Sequence, residues 1–196
     1  PMKRPCLFLD RDGVLIEDLG YVGRVEDVRP IPGAFEAVAR ARRMDVAIVV
    51  VPHQSGIGRG YDAEDDYRRV QADVEARLRA AGAAIDGAYH CPFHPEGREP
   101  FAHPDHPDRK PNPGMLLRAA RELGLDLGRS VMVGDKLRDL QAGARAGVPW
   151  VALVRTGEGA EEAKIVRPAD AAPAALWVCA DLGEAVDRYA AELGRA

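Results

Sequence analysis

Short apolar runs closed by turn residues alternate along the chain with longer stretches in which apolar positions recur every three or four residues. That is the pattern of βα units and a parallel sheet. Strands are predicted at Cys6–Asp10, Val46–Val51, Ala84–His90, Ser130–Gly134, Trp150–Val154 and Trp177–Cys179, and helices at about 33–44, 62–81, 112–123, 137–146 and 182–193. In the second helix Tyr67, Val70, Val74, Leu78 and Ala81 line one face, with Asp62 as N-cap and Gly82 as stop. The third is punctuated by Asn112 and Pro113 at its start and Gly124 at its end. Two stretches carry no regular pattern: 13–32, and a Pro- and His-rich segment over 91–111. Loops of that length in a compact domain are typically functional or disordered. Only one loop and one helix separate the first two strands, which leaves no room for an inserted cap domain. The expected fold is α/β: a single domain over 1–196, a three-layer α/β/α Rossmann-like core with a parallel sheet, no cap, and an irregular loop at 91–111.

Composition narrows the function classes without choosing one. A chain of 196 residues that is 46% hydrophobic has enough apolar surface for one core without disulfides or a structural metal. Its 27 basic and 31 acidic residues are interspersed and sum to −4, so the basic stripe of a nucleic-acid binder is missing. Cys6, Cys91 and Cys179 form neither an even set nor a close-spaced pattern, which favours a reducing compartment. The apolar run after Lys3 and Arg4 is too short for a signal peptide, and no run approaches the roughly 18 residues of a membrane span. The expectation is a cytoplasmic monomer whose partner is a small metabolite, with no nucleic acid and no membrane.

Chemistry concentrates where strands end. The first apolar run closes as FLDRDGVL, placing Asp10 and Asp12 at the carboxyl end of a buried strand with Gly13 to turn the chain. Ligands of open α/β sheets bind outside that end of the strands. The fourth run, SVMVGDKLRD, brings Asp135, Lys136 and Asp139 to the same edge. Carboxylates from two strand ends suit a hard divalent cation such as Mg²⁺, which also borrows phosphate oxygens. The second run ends VVVPHQSGIGRG, and the loop before the third helix reads DRKPNPGM, so four strand or loop ends converge.

Together FLDRDGVL, DLGYV, QSGIGRG, CPFHPEG, RKPNPGM, GDKLRDLQAG and LVRTG, in this order over about residues 6–157, resemble the haloacid dehalogenase-like (HAD) phosphohydrolases. The nearest resemblance is to the cap-less branch holding the heptose-1,7-bisphosphate 7-phosphatases and the histidinol-phosphate phosphatases. The resemblance implies a phosphomonoesterase in which Asp10 attacks phosphorus to form an aspartyl-phosphate and Asp12 serves as acid and then base. It implies Mg²⁺ held by the Asp10 and Asp135 carboxylates and the Asp12 backbone carbonyl, with Lys136 and Asp139 in support, and Lys110 on the phosphoryl group. Electrostatics ask for the same parts. Asp10, Asp135 and a phosphoryl dianion at about 4 Å repel by roughly 4 kcal/mol per pair of unit charges at an effective dielectric near 20, and Mg²⁺ with Arg109 and Lys110 balances them. Planar, bidentate Arg109 suits substrate hydroxyls or a second phosphate. Without a cap, substrate choice falls to Asp18, Leu19, Gly20 and Tyr21, to His53, Gln54, Ser55 and Arg59, and to the 91–111 segment. The leading substrate is a heptose bisphosphate, with histidinol phosphate or another small sugar phosphate as the alternative. A non-catalytic phosphate binder is the alternative of another class, but a binder needs no nucleophile paired with an acid.

Two departures from the family pattern stand out. Relatives have Thr-Asn where this chain has Pro52 and His53, so a hydroxyl donor to the phosphoryl oxygens is gone. His53, protonated beside a dianion, is the expected substitute, with Ser55 as the other candidate. Relatives also carry a closed zinc site of Cys-x-His and Cys-x-Cys, whose positions here are Cys91, Phe93, His106 and Asp108. Only Cys91 is kept. Cys91, His94, His103 and His106 offer a replacement zinc tetrad by spacing, against a loop that packs without metal.

Overall fold

A computed structural model describes residues 2–53 and 64–195. Six strands form one wholly parallel sheet: β1 (Cys6–Leu9), β2 (Ala47–Val50), β3 (Gly87–Ala88), β4 (Val131–Gly134), β5 (Trp150–Val154) and β6 (Ala175–Cys179). Their spatial order is β3-β2-β1-β4-β5-β6. The chain therefore builds outward from β1 in one direction, then returns to its other side with β4. That reversal makes the β1/β4 boundary the place where connections leave toward opposite edges and a crevice opens above the strand ends.

Helices α1 (Ala34–Arg42), α2 (Glu64–Ala80) and α6 (Leu182–Leu193) cover one face, and α3 (Gly114–Leu123) and α4 (Leu137–Ala146) cover the other. A fourth-layer element is not needed, since strand alternation divides the core in two. Leu7, Leu9, Ile48, Val50, Val131 and Val133 pack with α1, α2 and α6. Cys6, Phe8, Val49, Met132, Val151 and Leu153 pack with α3 and α4. Every residue of β1, β2 and β4 is buried, as a parallel sheet covered on both faces requires.

The predicted strands and helices all appear, with shifts at their ends. β3 shrinks from the expected 84–90 to two residues, because the Asp86 carboxylate rather than a backbone carbonyl takes the Ile48 amide at 2.8 Å. β6 begins two residues early, where Ala175 N–H donates to Pro149 carbonyl. Gly82 and Gly124 stop α2 and α3 in the left-handed region, as expected, while the expected cap Asp62 lies outside the described residues. Unforeseen were the short helix α5 (Gly159–Glu162) and 3-10 turns at Val25–Asp27, Leu127–Arg129 and Pro168–Ala171. The stretch 13–32 is irregular but not loose, since Val14, Leu15, Ile16, Val22 and Val28 enter the core. Among the described residues no helix is long and apolar enough to cross a membrane.

Phe8 is fully buried at the centre of the sheet and anchors the α3/α4 side. Phe8→Ala is expected to cost about 3–5 kcal/mol. A thermal melt should then fall by about 6–20 °C.

Candidate active site

β1 and β4 are neighbours, so the residues that follow them, Asp10 and Asp135, come out side by side at the carboxyl edge. Asp10 stays in register a step beyond the strand, its N–H donating to Val133 carbonyl at 3.0 Å. Asp139 reaches the same point from the first turn of α4, and its Oδ2 accepts the Lys136 N–H at 3.2 Å. Lys110 enters from the loop before α3 and sets its ammonium 3.2 Å from Asp10 Oδ1 and 2.8 Å from Asp139 Oδ1. All four side chains are buried.

Ligand oxygens of Asp10, Asp135 and Asp139 lie within 4.8 Å of one another. Three carboxylates against one ammonium leave a buried charge of −2, which is costly unless a cation balances it. The energetics appear in the titration. Burial, then the charge of Asp10, pushes the Asp135 carboxyl up to about 8. The same two causes raise Asp139 against the pull of Lys110. Burial alone would lower the Lys110 ammonium, but Asp10 and Asp139 hold it above its ordinary value. One acceptor is conspicuously unused: Asp135 Oδ1 is buried with no hydrogen-bond partner among the described residues, while Oδ2 accepts the Glu158 N–H at 2.9 Å. An orphaned oxygen, an Asp10 carboxylate with one oxygen on Lys110, and a deficit of two positive charges fit a divalent hard cation.

The corner is built around two glycines. Gly13 (φ +85°) and Gly157 (φ +56°) both press on Asp135, and a Cβ on either would come within 2.1 and 2.3 Å of its Oδ2. Thr156 hydroxyl donates to Gly13 carbonyl at 2.6 Å and ties the two turns together.

Asp12 lies at the rim, and its carboxylate rests on Arg11 through Nε to Oδ2 at 3.1 Å and Nη2 to Oδ1 at 3.4 Å. Burial raises its carboxyl, with the Arg11 guanidinium pulling the other way. Lys136 bridges Asp18 at 3.5 Å and Glu158 at 2.9 Å, so it brings Asp18 to the site as well as flanking Asp135. Asp18 Oδ1 accepts the Gly20 N–H at 2.9 Å and closes an exposed turn that carries Leu19 and Tyr21. Arg109 sits beside Lys110 with its Nε buried and without a partner among the described residues, and Arg138 on α4 shares that condition.

Two expectations need correcting. In the free site His53 is held neutral, since burial, then the charges of Arg138, Lys110, Arg109 and Lys136, push it down to about 2; the protonated form expected beside a bound dianion is not the resting one. A neutral imidazole still offers one N–H. The proposed zinc tetrad does not assemble. Nδ1 of His94, His103 and His106 accept the N–H of Glu96, Asp105 and Asp108 at 3.0, 3.1 and 3.0 Å, which places the proton of each neutral ring on Nε2 and leaves neither nitrogen a spare lone pair. Phe93 instead stacks on His106 at 4.1 Å between centroids, and Cys91 Sγ packs 3.8 Å from His106 Nδ1. Among the described residues the three aspartates are the only converging set of this kind. Gln54, Ser55 and Arg59 lie outside the described residues.

Sequence reasoning passed over Arg11, Thr156, Gly157 and Glu158. Arg11 was legible as a cation between two acids at a strand end, and the other three as part of the LVRTG turn and its successor.

A profile of the HAD-hydrolase-like family matches residues 108–185. D-glycero-alpha-D-manno-heptose-1,7-bisphosphate 7-phosphatase of Burkholderia mallei is 45% identical over 153 residues, 78% of this chain and 81% of that protein. The D-glycero-beta-D-manno-heptose-1,7-bisphosphate 7-phosphatase of Escherichia coli K12 is 40% identical over 187 residues, 94% of each chain. Among solved structures, D,D-heptose 1,7-bisphosphate phosphatase from B. bronchiseptica, complexed with magnesium and phosphate, superposes with a TM-score of 0.81 at 31% identity, covering 98% of this chain and 99% of that one. With aspartates at its β1 and β4 edges and these relatives over most of its length, the chain belongs to the HAD-like hydrolases, in the family of the heptose-1,7-bisphosphate 7-phosphatases.

Proposed function

We propose that this chain is a Mg²⁺-dependent phosphatase that removes the 7-phosphate of a D-glycero-D-manno-heptose 1,7-bisphosphate through an aspartyl-phosphate on Asp10. The observation that carries the reading is the buried triad of carboxylates around Lys110, which is two positive charges short. Asp10 and Asp135, with the backbone carbonyl of Asp12, are the donors for Mg²⁺. Bound there, the ion neutralises the carboxylates and the phosphoryl oxygens, so that an anion can approach an anion.

Asp10 attacks phosphorus as the bond to the sugar oxygen breaks, and the Lys110 ammonium stabilises charge on the transferring group. Asp12 donates a proton to the departing alkoxide. It then takes a proton from the water that cleaves the aspartyl-phosphate, releasing inorganic phosphate and restoring the Asp10 carboxylate. Asp139 contributes by position: it holds Lys110 against Asp10, and its other oxygen accepts the Lys136 N–H. Arg109 and Arg138, whose buried Nε atoms lack partners, supply positive charge next to the reacting phosphate and suit the second phosphate of a bisphosphate. His53 supplies one neutral N–H in place of the missing threonine hydroxyl. Three free and buried cysteines accord with a cytoplasmic setting.

Asp10→Asn is expected to abolish Mg²⁺-dependent phosphate release from heptose bisphosphate, by about a thousandfold or more. Release that persists after that change removes Asp10 as the nucleophile. A comparison of kcat/KM for both heptose bisphosphate anomers, histidinol phosphate and fructose 1,6-bisphosphate should place a heptose bisphosphate first. If histidinol phosphate leads, the substrate assignment is wrong.

Because Asp135 is pushed up to about 8, a proton competes with Mg²⁺ for it below that pH. Mg²⁺ affinity, titrated calorimetrically between pH 6 and 9, should weaken by about tenfold per unit below 8 and level off above it. A flat profile would mean that Asp135 is not a ligand.

The 91–111 loop is read as held by ring packing. Protein purified without a His-tag should then contain less than about a tenth of an equivalent of zinc by elemental analysis. A full equivalent would show that the histidines turn over to bind metal.

A further inference from the structure

Arg11 is among the largest fully buried side chains of the protein, at 1% exposure, and the reaction as described leaves it without a task. Side chains of consecutive strand residues point to opposite faces, so Arg11 and Asp12 could not meet had β1 simply continued. They meet because the chain folds back at once: the Arg11 carbonyl accepts the N–H groups of Val14, Leu15 and Ile16 at 3.3, 2.8 and 3.2 Å. The guanidinium then holds both oxygens of Asp12 from the protein side.

Two further contacts lead to α2. Nη1 donates to Gln71 Oε1 at 3.4 Å, and the cation lies 5.5 Å from the centroid of the Tyr67 ring. Both residues belong to α2, the helix that follows segment 54–63. Gln71 is steadied in turn by Glu75, whose Oε1 accepts its Nε2–H at 3.1 Å. The Tyr67 ring packs on His90 at 4.3 Å between centroids, at the residue where the 91–111 loop begins. One buried cation is therefore in contact with Asp12 on one side and with α2 on the other, and through Tyr67 it is linked to His90, just before the 91–111 loop.

We infer that Arg11 is a positioning residue for Asp12, and that through Gln71 and Tyr67 it ties the orientation of that carboxyl to α2 and to the start of the 91–111 loop. The inference rests on the reading of Asp12 as acid and base. A planar fork gripping both oxygens sets the plane of the carboxyl as well as its place, which a point charge does not. A small misplacement of a proton-transfer group is costly to the chemical step and indifferent to ground-state binding.

The test is a double-mutant cycle on steady-state phosphate release. Arg11→Met should lower kcat by about 10- to 100-fold with KM changed less than about threefold, and Arg11→Lys should fall between it and the unaltered protein. Asp12→Asn should lose about 10²–10⁴, and adding Arg11→Met to it should cost no more than about threefold further, since the two act through one group. Losses that multiply in full, or a rise in KM at constant kcat, overturn the inference. Should Arg11→Met fail to fold, Gln71→Leu takes its place, with a loss of about two- to fivefold in kcat that likewise vanishes in the Asp12→Asn background. A Gln71→Leu loss that persists there overturns it too. If Asp12→Asn itself keeps the full rate, the acid/base reading is what fails, and the inference falls with it. If Asp12→Asn is slow while Arg11→Met is not, the inference fails alone.

Discussion

Burial of three carboxylates around one ammonium is the constraint on which the rest of this molecule depends. Asp10, Asp135 and Asp139 would repel one another apart in a low-dielectric setting, and Lys110 cancels only one of their charges. The remaining deficit explains the raised carboxyl of Asp135, its orphaned oxygen and the fit to a divalent cation. It also explains why the surrounding turns are so tightly specified. Gly13 and Gly157 leave Asp135 its place by having no side chain, and Glu158 and Lys136 donate backbone N–H groups to Asp135 and Asp139 in turn.

Such a cluster needs a rigid mount, and the sheet supplies it. β1 and β4 are central, buried on both faces and locked in register, so Asp10 and Asp135 are held by the stiffest part of the fold. Lys110 arrives from a different connection, on the α3 side, and its ammonium joins that connection to the strand ends. Asp12 stands apart from the triad: its charge is met by Arg11, so it does not add to the deficit. Two carboxyl groups two residues apart, Asp10 against Lys110 and Asp12 against Arg11, are thereby kept in different electrostatic settings.

In the 91–111 loop, side-chain packing occupies positions at which the resemblance implies metal ligands. Phe93 and His106 occupy two of the four positions at which ligands are expected by resemblance, and their rings lie face to face. Cys91 fits against the same imidazole, with burial pushing its thiol up to about 11, and Asp108 pairs with Arg118 at 3.2 Å.

Much of this was legible in the one-dimensional pattern. Strand ends rich in aspartate, apolar runs of four or five residues and helical faces of three- and four-residue spacing are local properties, so they located the sheet, the helices and the edge where Asp10, Asp12, Lys110 and Asp135 gather. Element ends were less legible, because Asp86 displaces a backbone partner at β3 and only its neighbour Ile48 reveals it. What the sequence by itself determined was which residues carry charge and which element each belongs to. The tertiary structure alone decided which charges face one another. Histidine spacing suggested zinc, yet the orientation of each Nδ1 toward a backbone amide rules the set out as it stands. The free site holds His53 neutral because four cations stand around it. Arg11 meets Asp12 only because the turn brings its guanidinium under that carboxylate, with α2 packed on its other side. Charge balance, proton placement and clamping depend on distances between segments far apart in the chain, and distance is the quantity a linear pattern does not carry.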